Sequence, residues 1–146
     1  MLCAALFLVA SVLALPGDAQ AQDEAAVRQM FEAGEYQQVI DATTDAAAPE
    51  ALYVAAQSRQ RLGATSEARD TYGRLAARPE ADVWHFIGLS GQQLLDDQTD
   101  AALASARQAT GMARNLSAAH YQVGLVLAKR RDWQAAAAAF DQAATL

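Results

Sequence analysis

His120-Tyr121-Gln122-Val123-Gly124-Leu125-Val126-Leu127, followed by Asp132-Trp133, Ala135-Ala136, Phe140 and Ala143, is the stretch that decides the fold of this chain. Val123 and Leu127 stand four apart, and Ala136, Phe140 and Ala143 follow at steps of four and three. That is helical spacing in two pieces. Between them Arg130-Arg131-Asp132 reads as a turn, with Asp132 a good N-cap for the second piece. Gly124 and Ala136 are small enough to let the two helices pack closely as an antiparallel pair.

The same pattern recurs upstream. Ala68, Ala102 and Ala136 are 34 residues apart, as are Tyr72, Ala106 and Phe140, and Leu75, Ala109 and Ala143. Three columns with one period make an internal repeat. The first unit runs from Pro49 through Gly63 and on from Glu67 to Leu75, and the second from Val83 and on from Ala102 to Ala109. Turn signals fall at Leu62 to Ser66 and at Asp96 to Asp100. Thr65 or Ser66, and Thr99 or Asp100, are the expected N-caps of the second helices. Gly63 suits a helix C-terminus and Pro49 a first turn, while Pro79 breaks the chain between units. Ala56, Gly88 and Gly124 read as one recurring small position facing the partner helix. The step from Gly88 to Ala102 is 14 residues, against 12 in the other two units, so two extra residues are expected in the second unit's inner turn.

On these residues the chain resembles the tetratricopeptide repeat, a 34-residue helix–turn–helix, over about residues 49–146. The resemblance implies an all-α fold: an α-solenoid of antiparallel helix pairs, with about three full repeats after an N-terminal capping pair. The expected organisation is residues 1–21 signal peptide, 22–48 capping pair, 49–80, 81–116 and 117–146 the three repeats. In the capping pair Val27, Met30 and Phe31 form an apolar face, Gly34-Glu35-Tyr36 the turn, and Val39 and Ile40 begin a helix that ends early, near Thr43-Thr44. Each pair stacks on its neighbours and buries what no pair can bury alone.

The 146 residues amount to one domain, with 53% apolar residues, few prolines and many alanines, which favours helices over disorder or a β fold. A net charge of −6 argues against a nucleic-acid partner, which requires a basic face. Leu2 to Leu15 is apolar apart from Ser11 and ends in Pro16-Gly17 and Ala19-Gln20-Ala21. A short apolar core ending in a small-x-small site reads as a secretory signal cut after Ala21, although no Lys or Arg precedes the core. The expected location is exported, periplasmic first and secreted second, with no membrane span after cleavage. An uncleaved anchor is the rival reading. Cys3, the one cysteine, leaves with the leader, so the mature chain has neither a thiol nucleophile nor a cysteine zinc site.

Little else in the sequence carries chemistry. His85 and His120 stand alone in different units, with His120 at a packing position. Asp96, Asp97 and Asp100 lack the Gly and distal Glu of a calcium loop and read as a solvated turn. Lys129-Arg130-Arg131 reads as favourable charge at a helix end. Neither a phosphate-binding glycine loop nor a nucleophile elbow is present. No catalytic residue, cofactor or metal is therefore expected. In tetratricopeptide proteins the first helix of each unit lines the concave face. The resemblance places Tyr53, Gln57, Gln60 and Arg61 there, then His85, Leu89, Gln92 and Gln93, then Tyr121, Leu125, Ala128 and Lys129. Rings and amides suit a peptide or protein segment. The Lys/Asn clamp with which co-chaperone members hold C-terminal carboxylates is missing from this set. The expected role is a non-enzymatic protein-interaction scaffold. The alternative is a structural or self-associating module, a homodimer through the C-terminal repeat or a fragment of a longer repeat protein.

Overall fold

The computed structural model describes residues 16–44 and 47–146, with side-chain surroundings from residue 24 onward. Among the described residues the chain is all-helical: α1 (Pro16–Glu32), α2 (Tyr36–Ala42), α3 (Pro49–Arg61), α4 (Thr65–Ala76), α5 (Val83–Leu95), α6 (Thr99–Met112), α7 (Ser117–Lys129) and α8 (Trp133–Ala144). Each helix packs on its neighbours in the chain, α1 packs also on α3, and α5 on α7. The result is a stack of four antiparallel pairs.

The 34-residue period is kept strictly. Pro49, Val83 and Ser117 open the first helices, each of 13 residues, and Thr65, Thr99 and Trp133 open the second ones. All three inner turns are therefore equally long, and the two extra residues expected in the second unit are not there. The true counterpart of Ala56 and Gly124 is Ser90. Gly88 serves another contact. A Cβ there would lie 2.5 Å from the Ala76 amide nitrogen and 2.6 Å from the Tyr72 carbonyl oxygen, both on α4 of the preceding pair. Its small size permits close stacking between pairs. Gly124 acts within its own pair, where a Cβ would come 2.5 Å from the Phe140 ring.

One device ends every first helix. Gly34, Gly63, Asp97 and Arg131 have φ of 78°, 77°, 57° and 64°. In each turn the residue after the left-handed one reaches back: Glu35 N–H to Met30 O at 2.9 Å, Ala64 to Arg59 at 2.9 Å, Gln98 to Gln93 at 2.8 Å, Asp132 to Leu127 at 3.0 Å. The left-handed residue itself donates three positions back, as Gly63 does to Gln60. This is the Schellman arrangement, which satisfies carbonyls the helix end leaves open. The reversed chain then enters the second helix at once. Ala64 and Gln98 hold the N-cap positions of α4 and α6 without a side-chain bond, and Thr65 and Thr99 are already helical. Only Asp132 caps as expected, accepting from Ala135 N–H at 3.4 Å. A cap unforeseen from the sequence, Asp82, opens α5 by accepting from Trp84 N–H at 3.0 Å.

The core has three centres. Val27, Val39, Ala51 and Ala55 join the first pair to α3. Leu52, Tyr53, Ala56, Tyr72, Leu75, Ile87, Ala109 and Ala119 form the middle. Ala102, Leu103, Val126, Leu127 and Ala136 form the third. Ala68, Ala102 and Ala106 are fully buried, so the recurring alanines are the surfaces on which helices meet. The capping pair's second helix does end early, at Ala42 with Thr43 as its C-cap. Pro16 and Gly17 stand in the first turn of α1, where a proline is tolerated, and α1 continues through Ala21. The leader's apolar core, Leu2 to Leu15, lies outside the described residues.

Candidate functional site

The first helices of the pairs, α1, α3, α5 and α7, share one face of the stack. Two clefts open on it, each of about 560 Å³. The first lies at the C-terminal ends of α3, α5 and α7 and is walled by Gln57, Gln60, Arg61, Leu94, Leu95, Asp97, Tyr121, Leu125 and Lys129. The second lies at the opposite ends of α3 and α7, beside Glu50, Tyr53, Val54, Leu116, Ser117 and the end of α8. Phe31 of α1, Gln57 and Tyr121 line both.

A buried polar chain underlies the face. Tyr53 Oη donates to Gln122 Oε1 at 3.0 Å. Gln122 Nε2 donates to Ser90 Oγ at 3.1 Å, and Ser90 Oγ donates to the Ala102 carbonyl at 2.8 Å. Gln122 and Ser90 have no exposed surface, so each partner satisfies a group that water cannot reach. The Tyr53 ring packs on Tyr72 and Trp84, at centroid distances of 6.2 and 6.0 Å. Burial pushes the Tyr53 and Tyr72 hydroxyls well above the ordinary phenol range, since neither anion would be solvated. Tyr72 Oη donates to Gln60 Oε1 at 2.7 Å. Gln57 is the exception: it is only 7% exposed, and its buried Nε2 lies against the Tyr53 oxygen without a well-formed hydrogen bond.

Of the residues expected on this face, Gln57, Gln60, Arg61, Tyr121, Leu125 and Lys129 line the first cleft. Tyr53 borders the second but is nearly buried. The four expected from the second unit lie elsewhere. His85 turns to the loop between pairs, its Nδ1 3.0 Å from the Arg78 carbonyl and its ring edge-on to Phe86. Gln92 reaches the Arg69 carbonyl of α4 at 3.4 Å, and Gln93 accepts from Ser105 Oγ of α6 at 2.8 Å. Leu89 is half-buried and lines neither cleft. The cause is the misplaced turn: each of these residues is two positions from its true counterpart. Two positions rotate a helix by about 200°, onto the opposite face. The structural equivalents of Tyr53, Gln57, Gln60 and Arg61 are Ile87, Gly91, Leu94 and Leu95. Phe31, Thr65, Leu94, Leu95 and Asp97 also line the first cleft, beyond the expected set. Arg61, Leu95 and Lys129, each 34 residues apart just before the turn, were the signal that locates them.

The aspartates of the second turn are tied to cations. Asp96 pairs with Arg69, Asp97 with Lys129 at 2.7 Å, and Asp100 with Arg130 at 2.6 Å. The Lys129 ammonium holds the Asp97 carboxyl below its usual range. The Lys129-Arg130 run thus bridges successive inner turns. His120 is half-buried, with Nε2 2.8 Å from the Arg114 carbonyl, in a loop contact like that of His85. Among the described residues no cluster of His, Cys, Asp or Glu is placed to hold a metal ion, and no helix is long and apolar enough to cross a membrane.

No family model matches the chain, and no curated protein matches it. Among solved structures the chain is similar to the crystal structure of MamA, with 17% identity over 92% of this chain and 75% of that one and a TM-score of 0.46. The helical-repeat architecture stands on the chain's own period, turns and pair packing.

Proposed function

We propose that this chain is an exported, non-enzymatic interaction module of the tetratricopeptide type, holding a segment of a protein partner on the face shared by α1, α3, α5 and α7. The first cleft is the observation that carries the reading. It combines aromatic and aliphatic walls with two amides, the chemistry that takes side chains and backbone together. The residues around it offer no nucleophile paired with a base, and neither histidine faces it. Export rests on the apolar leader and on Ala19-Gln20-Ala21. Affinity capture from envelope extract, comparing the wild-type chain with Leu125→Glu, tests the partner site: a protein held by the first and lost by the second supports it. Mass spectrometry of the envelope-fraction protein tests export, with a chain beginning at Gln22 expected.

Self-association through the last pair is the second reading, favoured by one observation. Trp133 is 65% exposed on α8, and Leu146 beyond it 50% exposed. Large apolar side chains in the open often mark an interface. Sedimentation over a wide concentration range distinguishes a dimer from a monomer.

A further inference from the structure

Phe31, Gln57 and Tyr121 stand between the two clefts of the inner face and line both. The Tyr53–Gln122 bond joins α3 to α7 beneath them. A short segment entering one mouth needs only the residues of that cleft.

The two mouths carry opposite charge. At the first, Arg61 and Lys129 stand against a single acid, Asp97. At the second, Arg28 stands against Glu32 and Glu50. Lys129 is already committed to Asp97. Arg61 is exposed and makes no ion pair among the described residues. One turn back on the same face of α3 lies Gln57, about 6 Å away along the axis. Its Nε2 is buried against the Tyr53 oxygen, so Gln57 closes the floor of the cleft and offers an incoming segment no free donor. Leu94, Leu95 and Leu125 supply an apolar wall beside both.

Building on the proposed partner site, we infer that the first cleft takes a short internal segment of a protein in which an Asp or Glu stands next to a Leu- or Phe-sized side chain. The apolar side chain sits among the three leucines, and the neighbouring carboxylate meets Arg61. The second mouth, with its acidic excess, repels the same segment, so the charges also select between the clefts.

An array of blocked hexapeptides, with Leu, Phe, Ser, Asp, Asn or Lys at each of the four central positions, tests this with the purified protein as probe. The strongest signals should carry Asp beside Leu or Phe, exceeding the matched Asn peptides by about twofold to fivefold, as an exposed ion pair allows. That preference should disappear in Arg61→Gln and shrink in high salt, while the preference for Leu and Phe persists. Apolar peptides bound without regard to Asp, or better with Lys, would overturn the inference and leave the partner site standing. An array with no binding at all would count against both.

Discussion

Tyr53 and Gln122 are 69 residues apart in sequence and lie on the first helices of the first and third full pairs, yet the hydroxyl of one donates to the amide oxygen of the other at 3.0 Å. Both side chains are buried. Tyr53→Phe keeps the ring packing and removes only the donor, leaving Gln122 Oε1 without a partner. A loss of about 1–3 kcal/mol is expected from urea unfolding. Tyr36→Phe is the control, since that hydroxyl makes no bond among the described residues, and it should change stability little. Equal melts for the two variants would mean the buried bond contributes nothing.

Three glycines should separate by what an added methyl meets. Gly111→Ala places its Cβ in open space in the last turn of α6, so a gain in helix propensity of at most about 0.8–1 kcal/mol should appear. Gly124→Ala meets the Phe140 ring, which is half-buried and can turn aside, so the net effect should be small. Gly88→Ala meets the backbone of α4, which cannot move without parting two pairs, and should cost about 1–3 kcal/mol. Thermal melts of the three variants give the order directly. A stabilised Gly88→Ala would show that the pairs stack more loosely than described.

Arg131 holds a left-handed conformation at φ 64°, a place where the first two turns have glycine. Its side chain is exposed and forms no ion pair among the described residues. Arg131→Gly should therefore stabilise the chain by about 1 kcal/mol, and Gly63→Ala should cost a similar amount. Chemical denaturation midpoints measure both, and a destabilised Arg131→Gly would contradict the strain.

Alkaline pH should unfold the chain through its tyrosines. Tyr53 and Tyr72 have folded-state pKa values raised above the unfolded value near 10. Below that pH both states hold the proton and stability is unaffected. Above it the unfolded chain releases the protons first, so stability falls as pH rises from about 10 toward the folded-state values. Tyrosinate absorbance and helical circular dichroism, followed together, should show two of the four tyrosines ionising only as helicity is lost. Full ionisation with helicity intact would refute the burial of these hydroxyls.

The period, the pairing and the order of helices were legible because alanine columns and turn residues recur on one register. The second unit's face is not legible from residue size: Gly88 matches Ala56 and Gly124 in size, yet its smallness serves the contact with α4 of the preceding pair. The turns carried the better register, but it was disguised. Asp97 and Arg131 occupy the left-handed position that Gly63 marks openly. The Tyr53–Gln122 bond was beyond any periodic reading, since it links two pairs that are not neighbours in the stack. Phe31 is legible as part of an apolar face of the first pair, but its place as a wall of both clefts arises from the packing of α1 on α3.

Most helical stacks can gain or lose a unit, because each pair meets only the next. Here the bond from Tyr53 to Gln122 spans the middle pair. A further 34-residue unit spliced between the second and third pairs would carry Gln122 beyond reach and strand two buried polar groups. Growth at either end would leave the bond untouched. A change in the number of pairs between these two residues therefore costs both buried groups their partner, whereas a change outside that clasp costs neither.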